Sequence, residues 1–284
     1  MSQYAPHIAR ATTVATLMRK VLVALLPGIA LSVWFNGPAL LWQLPLASIT
    51  ALLAEAAMLR MRGLAPAPFL KDLSAVVSAW LLVLFMSPLA PWWLIVVATL
   101  FAIVVAKQLY GGLGNNLFNP AMAGLAVAVL AFPAHMAGMD ALPATASAAG
   151  WIALGWLLGG LWLWQQKVIN WQAPLAMLAA VGAMSELLWQ LAPSHSASPL
   201  WQLSHGGLLL AAGFILTDPV TSPWLPRGRL LFGLAVGLLT VLLRVNGEIQ
   251  GAIAFAVLIM NCVVPFIDRH TWPKAFGYRG KRRG

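Results

Sequence analysis

Three stretches of this sequence hold polar side chains where chemistry could be done. The first is "MDALPATASAAG", residues 139–150. It sets one acid, Asp140, ahead of two hydroxyls, Thr145 and Ser147, and the nearest Lys or Arg residues are Lys107 and Lys167. The second is "YGGLGNNLFNPAMAG", 110–124, and the third is "TDPVTSP", 217–223. Pro120 and Pro219 can each open a helix at its first turn, and Asn119 and Asp218 stand one residue earlier, where N-caps belong. A helix that starts there turns free N–H groups toward an anion or the polar edge of a ring. Thr221 adds a hydroxyl to the third stretch. Plain capping accounts for Asn119 and Asp218 as well as a buried polar site does, so both readings stay open. Glu55 and Glu186 fall inside apolar runs. Acids in membrane spans mark ion paths; a paired or solvated helix end is the other reading. Asp72, after Lys71, reads as a cap favoured by the helix dipole. His135, His195 and His205 share no span and no ligand spacing, so no metal site is expected.

The elements that position these residues follow from composition. Hydrophobic residues make up 61% of the 284 and charged residues 8%, where a soluble domain has about a quarter charged. Such a chain cannot cover itself with polar surface. Its apolar runs suit helices of about 20 residues, long enough to span a membrane. The fold class expected is an all-α integral membrane protein. The net charge of +10 does not point to nucleic acid, because the basic residues fall between apolar runs and form no single patch. The one cysteine, Cys262, cannot make an internal disulfide or hold an iron–sulfur cluster, which takes about four ligands. It reads as a small buried hydrophobe. No cleavable signal peptide is expected, since the first run passes through Pro27 and Gly28 without a small-residue cleavage site.

Ten spans are expected, over 21–36, 40–59, 72–87, 91–108, 120–134, 149–165, 172–191, 205–217, 229–244 and 248–267. Span 205–217 is short and needs its polar ends buried in protein, or a broken helix. Lys and Arg mark the cytoplasmic side. With the N-terminus in the cytoplasm, all of the 17 Lys and Arg but Arg244 fall on that side. Arg244 sits at a helix end, where it can snorkel or pair with Glu248. This orientation puts 139–148 outside as a loop, 1–20 inside, and 268–284 inside as a basic tail.

The halves resemble each other. "WQLPLA" at 42–47 returns as "WQAPLA" at 171–176, and Leu73-Ser74 as Leu203-Ser204. "FMSPLAPWW" at 85–93 returns as "LTDPVTSPW" at 216–224, and Asn115 matches Asn246. The offsets run only from 129 to 131. Five spans in each half, 21–138 and 149–267, force the second half into the membrane upside down. Inverted repeats of this kind place their sites where the halves meet. The Trp residues cluster at span ends, as an interfacial belt does.

The stretches "AKQLYGGLGNNLFNPAMAG", "FILTDPVTSP", "RGRLLFGLAVGLLTVLLR" and "VPFIDRHTWPKAFGYR" resemble one family. It unites the RnfD proteins of the Rnf ion-translocating oxidoreductases with the NqrB proteins of the sodium-pumping NADH:quinone reductases. The resemblance runs over nearly the whole chain. It implies a ten-helix inverted-repeat subunit of a complex that couples electron transfer between NADH and ferredoxin to Na+ or H+ movement across the bacterial inner membrane. It implies FMN joined through a phosphoester to a threonine on the outer face, attached by a separate flavin transferase. It also implies a second, non-covalent flavin such as riboflavin in the membrane part. The attachment motif matches at Asp140, Ala144 and Thr145, so Thr145 is the expected anchor. Leu142 and Pro143 stand where small or polar residues are usual, and the preceding loop is shorter than the family's common form. Asn119, Asp218 and Thr221 are candidates for the second flavin or for a buried polar site.

The chain has no Gly-rich strand–turn–helix for a nucleotide and no cysteine cluster. Partner subunits must therefore supply the NADH site, the iron–sulfur clusters and a further flavin on the outer side. An inverted five-helix repeat also serves solute channels and secondary transporters, and fold alone does not set function. A channel would show solute flux through this chain alone, with no flavin. A scaffold would assemble its partners with no flavin of either kind.

Overall fold

The computed structural model describes residues 13–136, 146–193, 196–247 and 251–272. Thr145, Asp140, His195, Glu248 and the basic tail lie outside the described residues. No strand occurs among those described. In chain order the helices are α1 (Val14–Asn36), α2 (Ala39–Met61), α3 (Pro66–Leu70), α4 (Ser74–Leu84) and α5 (Trp92–Leu100). Then come α6 (Pro120–Ala131), α7 (Pro133–Met136), α8 (Ala146–Gln165), α9 (Gln172–Leu191) and α10 (Pro199–Ser204). The last are α11 (Leu208–Leu210), α12 (Pro226–Val245) and α13 (Ala252–Thr271). Two of them run on without a break into wider π-helical turns, α5 through Phe101–Gln108 and α11 through Ala211–Ile215.

Among the described residues six helices are long and apolar enough to cross a membrane: α1, α2, α8, α9, α12 and α13. The other four expected spans are helical but shorter. Proline and glycine explain the shortening. Pro88 and Pro91 separate α4 from α5, Pro120 opens α6, and Gly206 and Gly207 precede α11 with φ of +63° and +69°. The first helix is longer than expected: α1 starts at Val14, capped by the Thr13 hydroxyl on Thr16 N. Arg19 and Lys20 are therefore helical and not part of a leading segment. Pro226, not Pro219, opens α12. Asp218 bonds Val220 N at 3.1 Å and closes a turn there, and Pro223 disfavours helix for the residue before it.

The packing partners recur along the chain. Helix α2 packs on α5, and α9 on α12; α6 packs on the wide turns after α5, and α13 on α12. The openers α1 and α8 pack on each other, as do α6 and α13. The turns recur too. Ser87 Oγ accepts from Leu89 N at 3.2 Å, as Asp218 Oδ1 does from Val220 N. The Asn115–Asn246 match does not carry over. Asn115 lies in the loop after the π-helical turns, where its N–H bonds Gly112 O, whereas Asn246 is the C-cap of α12.

Small residues let the helices approach closely, as is usual between membrane helices. A Cβ on Gly159 of α8 would lie 2.0 Å from the Ala24 carbonyl oxygen of α1, and Gly155 and Gly28 meet one turn on. Gly159→Val should lower stability by about 3 kcal/mol, the upper end for overpacking, because the obstacle is backbone. A thermal melt of the detergent-solubilised protein checks this. An unchanged melting temperature would mean α1 and α8 do not cross at Gly159.

Trp residues sit exposed near helix ends, as at Trp34, Trp92, Trp224 and Trp272. Cys262 is exposed on α13, not buried as expected. An apolar residue on a membrane helix can face lipid as readily as core, and hydropathy does not separate the two faces.

Candidate functional site

The two broken stretches come together. Asn119 caps α6, its Oδ1 accepting from Met122 N at 3.2 Å. Its Nδ2 donates to Asp218 Oδ2 at 3.3 Å, and the Thr221 hydroxyl donates to the same oxygen at 2.9 Å. Asn119, Asp218 and Thr221 are therefore one network. A fourth member, Asn261 of α13, escapes sequence reasoning. It is 1% exposed; its Oδ1 accepts from Asn119 N at 3.1 Å and its Nδ2 donates to Thr221 O at 3.0 Å. An amide inside an apolar span must find such partners, and that was the signal available in "LIMNCVV". Asn261→Leu should cost about 2–4 kcal/mol, since it strands one buried N–H and one buried carbonyl. Thr221→Ala, which removes one hydrogen bond, should cost about 1 kcal/mol. Melting curves of the two variants should separate in that order, and equal curves would contradict the network.

Asp218 and Asn119 line a cavity of about 120 Å³. Its apolar walls include Val77, Leu81, Leu163 and Phe214, and its polar lining includes Ser78, Lys107 and Asn116. Apolar walls with a few placed polar groups are the usual make-up of a ring-binding site.

Lys107 is a second finding that sequence reading missed. It reads as a loop cation, yet it lies in the π-helical turns and is 2% exposed. Its Nζ lies 2.7 Å from Glu55 Oε1 and 2.7 Å from Ser74 Oγ. Gln108 Nε2 donates to the same Glu55 oxygen at 2.8 Å and accepts from Arg62 through its Oε1 at 3.1 Å. Glu55 is thus a buried, paired acid. Glu186, its counterpart in the other half, is exposed and accepts from Gln190 at 2.6 Å. Asp72 caps as expected, accepting from Ser74 N at 2.7 Å.

A second cavity, of about 130 Å³, lies at the opposite end of the bundle. The first is lined by Leu17 to Val21 of α1 and Leu163 of α8; the second by Ser32 and Asn36 of α1 and Ala149 to Trp156 of α8. Along α1 the eleven residues from Val21 to Ser32 put roughly 16 Å between them. The α1–α8 glycine contacts fall in this interval. The second cavity also has Trp201, His205 and Phe85 in its wall, with His205 stacked on Trp201 at 4.6 Å between ring centroids. Beside it Arg244 is buried and does not snorkel. It donates to Gln202 Oε1 at 2.9 Å and to the carbonyls of Gln202 and His205. His135 packs edge-on against Trp93. No cluster that could hold a metal occurs among the described residues.

These features are paired across the bundle, and so is the match to known proteins. The model of the NQR2, RnfD, RnfE family matches residues 1–148 and 139–277, two pieces that meet in the stretch holding Thr145. The chain is 41% identical to the ion-translocating oxidoreductase complex protein RnfD of Pseudomonas aeruginosa (strain UCBPP-PA14), covering 98% of this chain and 96% of that one. It is 38% identical to the proteins of that name from Citrobacter koseri (96% and 98% covered) and Shewanella denitrificans (96% and 97%). The Pseudomonas alignment runs over 331 positions against 284 residues here, so that relative carries segments this chain lacks. With near-complete coverage on both sides, this multi-pass membrane chain belongs to the NQR2, RnfD, RnfE family.

Proposed function

We propose that this chain is the membrane subunit of an ion-translocating oxidoreductase complex and relays electrons through flavin. The observation that carries the reading is the pair of cavities at opposite ends of α1 and α8. One flavin at each end would give a path across the bundle. Thr145 holds FMN through a phosphoester, and α8 begins at the next residue, Ala146. Ala149, Ile152 and Ala153 of α8 then line the second cavity, so a ring tethered at Thr145 has an apolar wall beside it. Asp140 belongs to the motif that the flavin transferase reads. The first cavity takes the non-covalent flavin, riboflavin in class. Asn119, Asp218 and Thr221 form its polar side with Asn261, and Lys107 offers it an ammonium. The flavins supply one- and two-electron chemistry; the chain holds and orients them and excludes water.

The recurring packing partners and the matched turns at Ser87 and Asp218 support ten membrane helices in two inverted five-helix repeats. The distribution of Lys and Arg supports N- and C-termini in the cytoplasm. The first cavity then faces the cytoplasm and is the inner one; the second is the outer one. Other subunits of the complex supply the NADH and iron–sulfur sites and an outer flavin. The test is peptide mapping by mass spectrometry of the chain made with its transferase. A peptide containing Thr145 that carries the mass of FMN is the expected result. An unmodified peptide from a chain that also keeps no extractable flavin would leave a channel or a scaffold as the better reading.

A further inference from the structure

Lys107 is fixed from two sides and still has a donor to give. An ammonium carries three N–H groups. Glu55 and Ser74 take two of them at 2.7 Å, and Lys107 also lines the inner cavity. Glu55 is not among the residues that line it. The ion pair is therefore a dipole with its positive end at the cavity wall. The acid end is held in turn by Gln108, which Arg62 fixes. Burying two charges is costly, and this arrangement does more than close a helix end.

We propose that Lys107 is a positioning residue that sets the reduction potential of a flavin ring bound in the inner cavity. The inference rests on the reading of that cavity as the site of a non-covalent flavin. One electron enters the ring from a partner subunit's iron–sulfur cluster, which is oxidised by one. No proton moves, and the negative charge gained by the ring is met by the Lys107 ammonium, which keeps its proton. In a water-poor cavity that attraction acts at low dielectric and is strong. Ser74 and Glu55 keep the amine from swinging away when the ring is oxidised.

The experiment uses the full chain made without its transferase, so that no covalent FMN is present, purified in detergent and loaded with riboflavin. The midpoint potential of the bound riboflavin is read by spectroelectrochemical titration with dithionite. Lys107→Met should lower it, and a tenfold loss of preference for the reduced ring corresponds to about 59 mV for one electron. Glu55→Gln keeps a hydrogen-bond acceptor for Lys107 but removes the neutralising charge, so it should raise the potential. Shifts of opposite sign are the signature of charge; a packing defect would move both variants the same way and would overturn the proposal. Riboflavin retained at an unshifted potential in both variants would overturn it too, while leaving the cavity reading intact. If the unaltered chain retains no riboflavin, the cavity reading itself fails. Should Lys107→Met not fold, the sign of the Glu55→Gln shift alone decides.

Discussion

Thr145→Ala removes all covalent flavin from the chain. Protein made with its transferase and run on a denaturing gel should give a fluorescent band, and the Thr145→Ala protein should give none. The effect is complete because a phosphoester needs a hydroxyl and alanine has none. Ser147, two residues on, is no substitute. The motif that opens at Asp140 ends at Thr145, and α8 has already begun at Ala146, so the Ser147 hydroxyl belongs to a formed helix. Thr145→Ser keeps the hydroxyl and should retain part of the band. Asp140→Asn should reduce the band without abolishing it, since Asp140 sets recognition and not the bond. A fluorescent band from Thr145→Ala would assign the anchor to another residue. The same gel tests whether Leu142 and Pro143 are compatible with attachment, because wild-type fluorescence requires that the transferase accept them.

Much of this fold can be read along the chain, for a simple reason. In a membrane every backbone polar group must be satisfied within the segment, so apolar runs become helices, and hydropathy finds them. The cap at Asn119 and the helix start at Pro120 follow from local chemistry and hold. What needs three dimensions is which polar residues meet. Asn119 and Asp218 read alike along the chain, each one residue before a proline. The structure separates them. Asn119 caps a helix, while Asp218 closes a turn seven residues short of Leu225, the residue before α12, because Pro223 and Pro226 delay the helix. Lys107 shows a second limit. Counting cations by loop assigns it to one side of the membrane, but a count says nothing of burial. Only the π-helical turns, which rotate the last residues of the segment relative to a regular helix, bring its amine to Glu55 and Ser74. Such wide turns often lie at functional sites, and no residue pattern announces them.

Glu55 and Glu186 give the sharpest contrast between sequence and structure. They stand 131 residues apart, the offset that relates Pro88 to Pro219, and along the chain they look equivalent. Glu55 is 2% exposed and paired with Lys107, whereas Glu186 is exposed. Glu55→Ala strands the ammonium of Lys107 in a buried setting and takes an acceptor from Gln108. Removing one partner of a buried pair costs about 3–5 kcal/mol, a large share of the stability of any single chain. The expected result is a steep fall in melting temperature and in yield from detergent. Glu186→Ala removes a surface hydrogen bond to Gln190 and should leave both unchanged. Taking out both charges, with Glu55→Ala and Lys107→Met together, should recover most of the loss, because an apolar pair of similar volume is tolerated where a lone charge is not. A double variant as unstable as Glu55→Ala alone would mean the penalty comes from packing around Glu55 and not from the unpaired charge. Equal losses from Glu55→Ala and Glu186→Ala would mean that the two halves bury their acids alike, and the asymmetry between the inner and outer cavities would go with it.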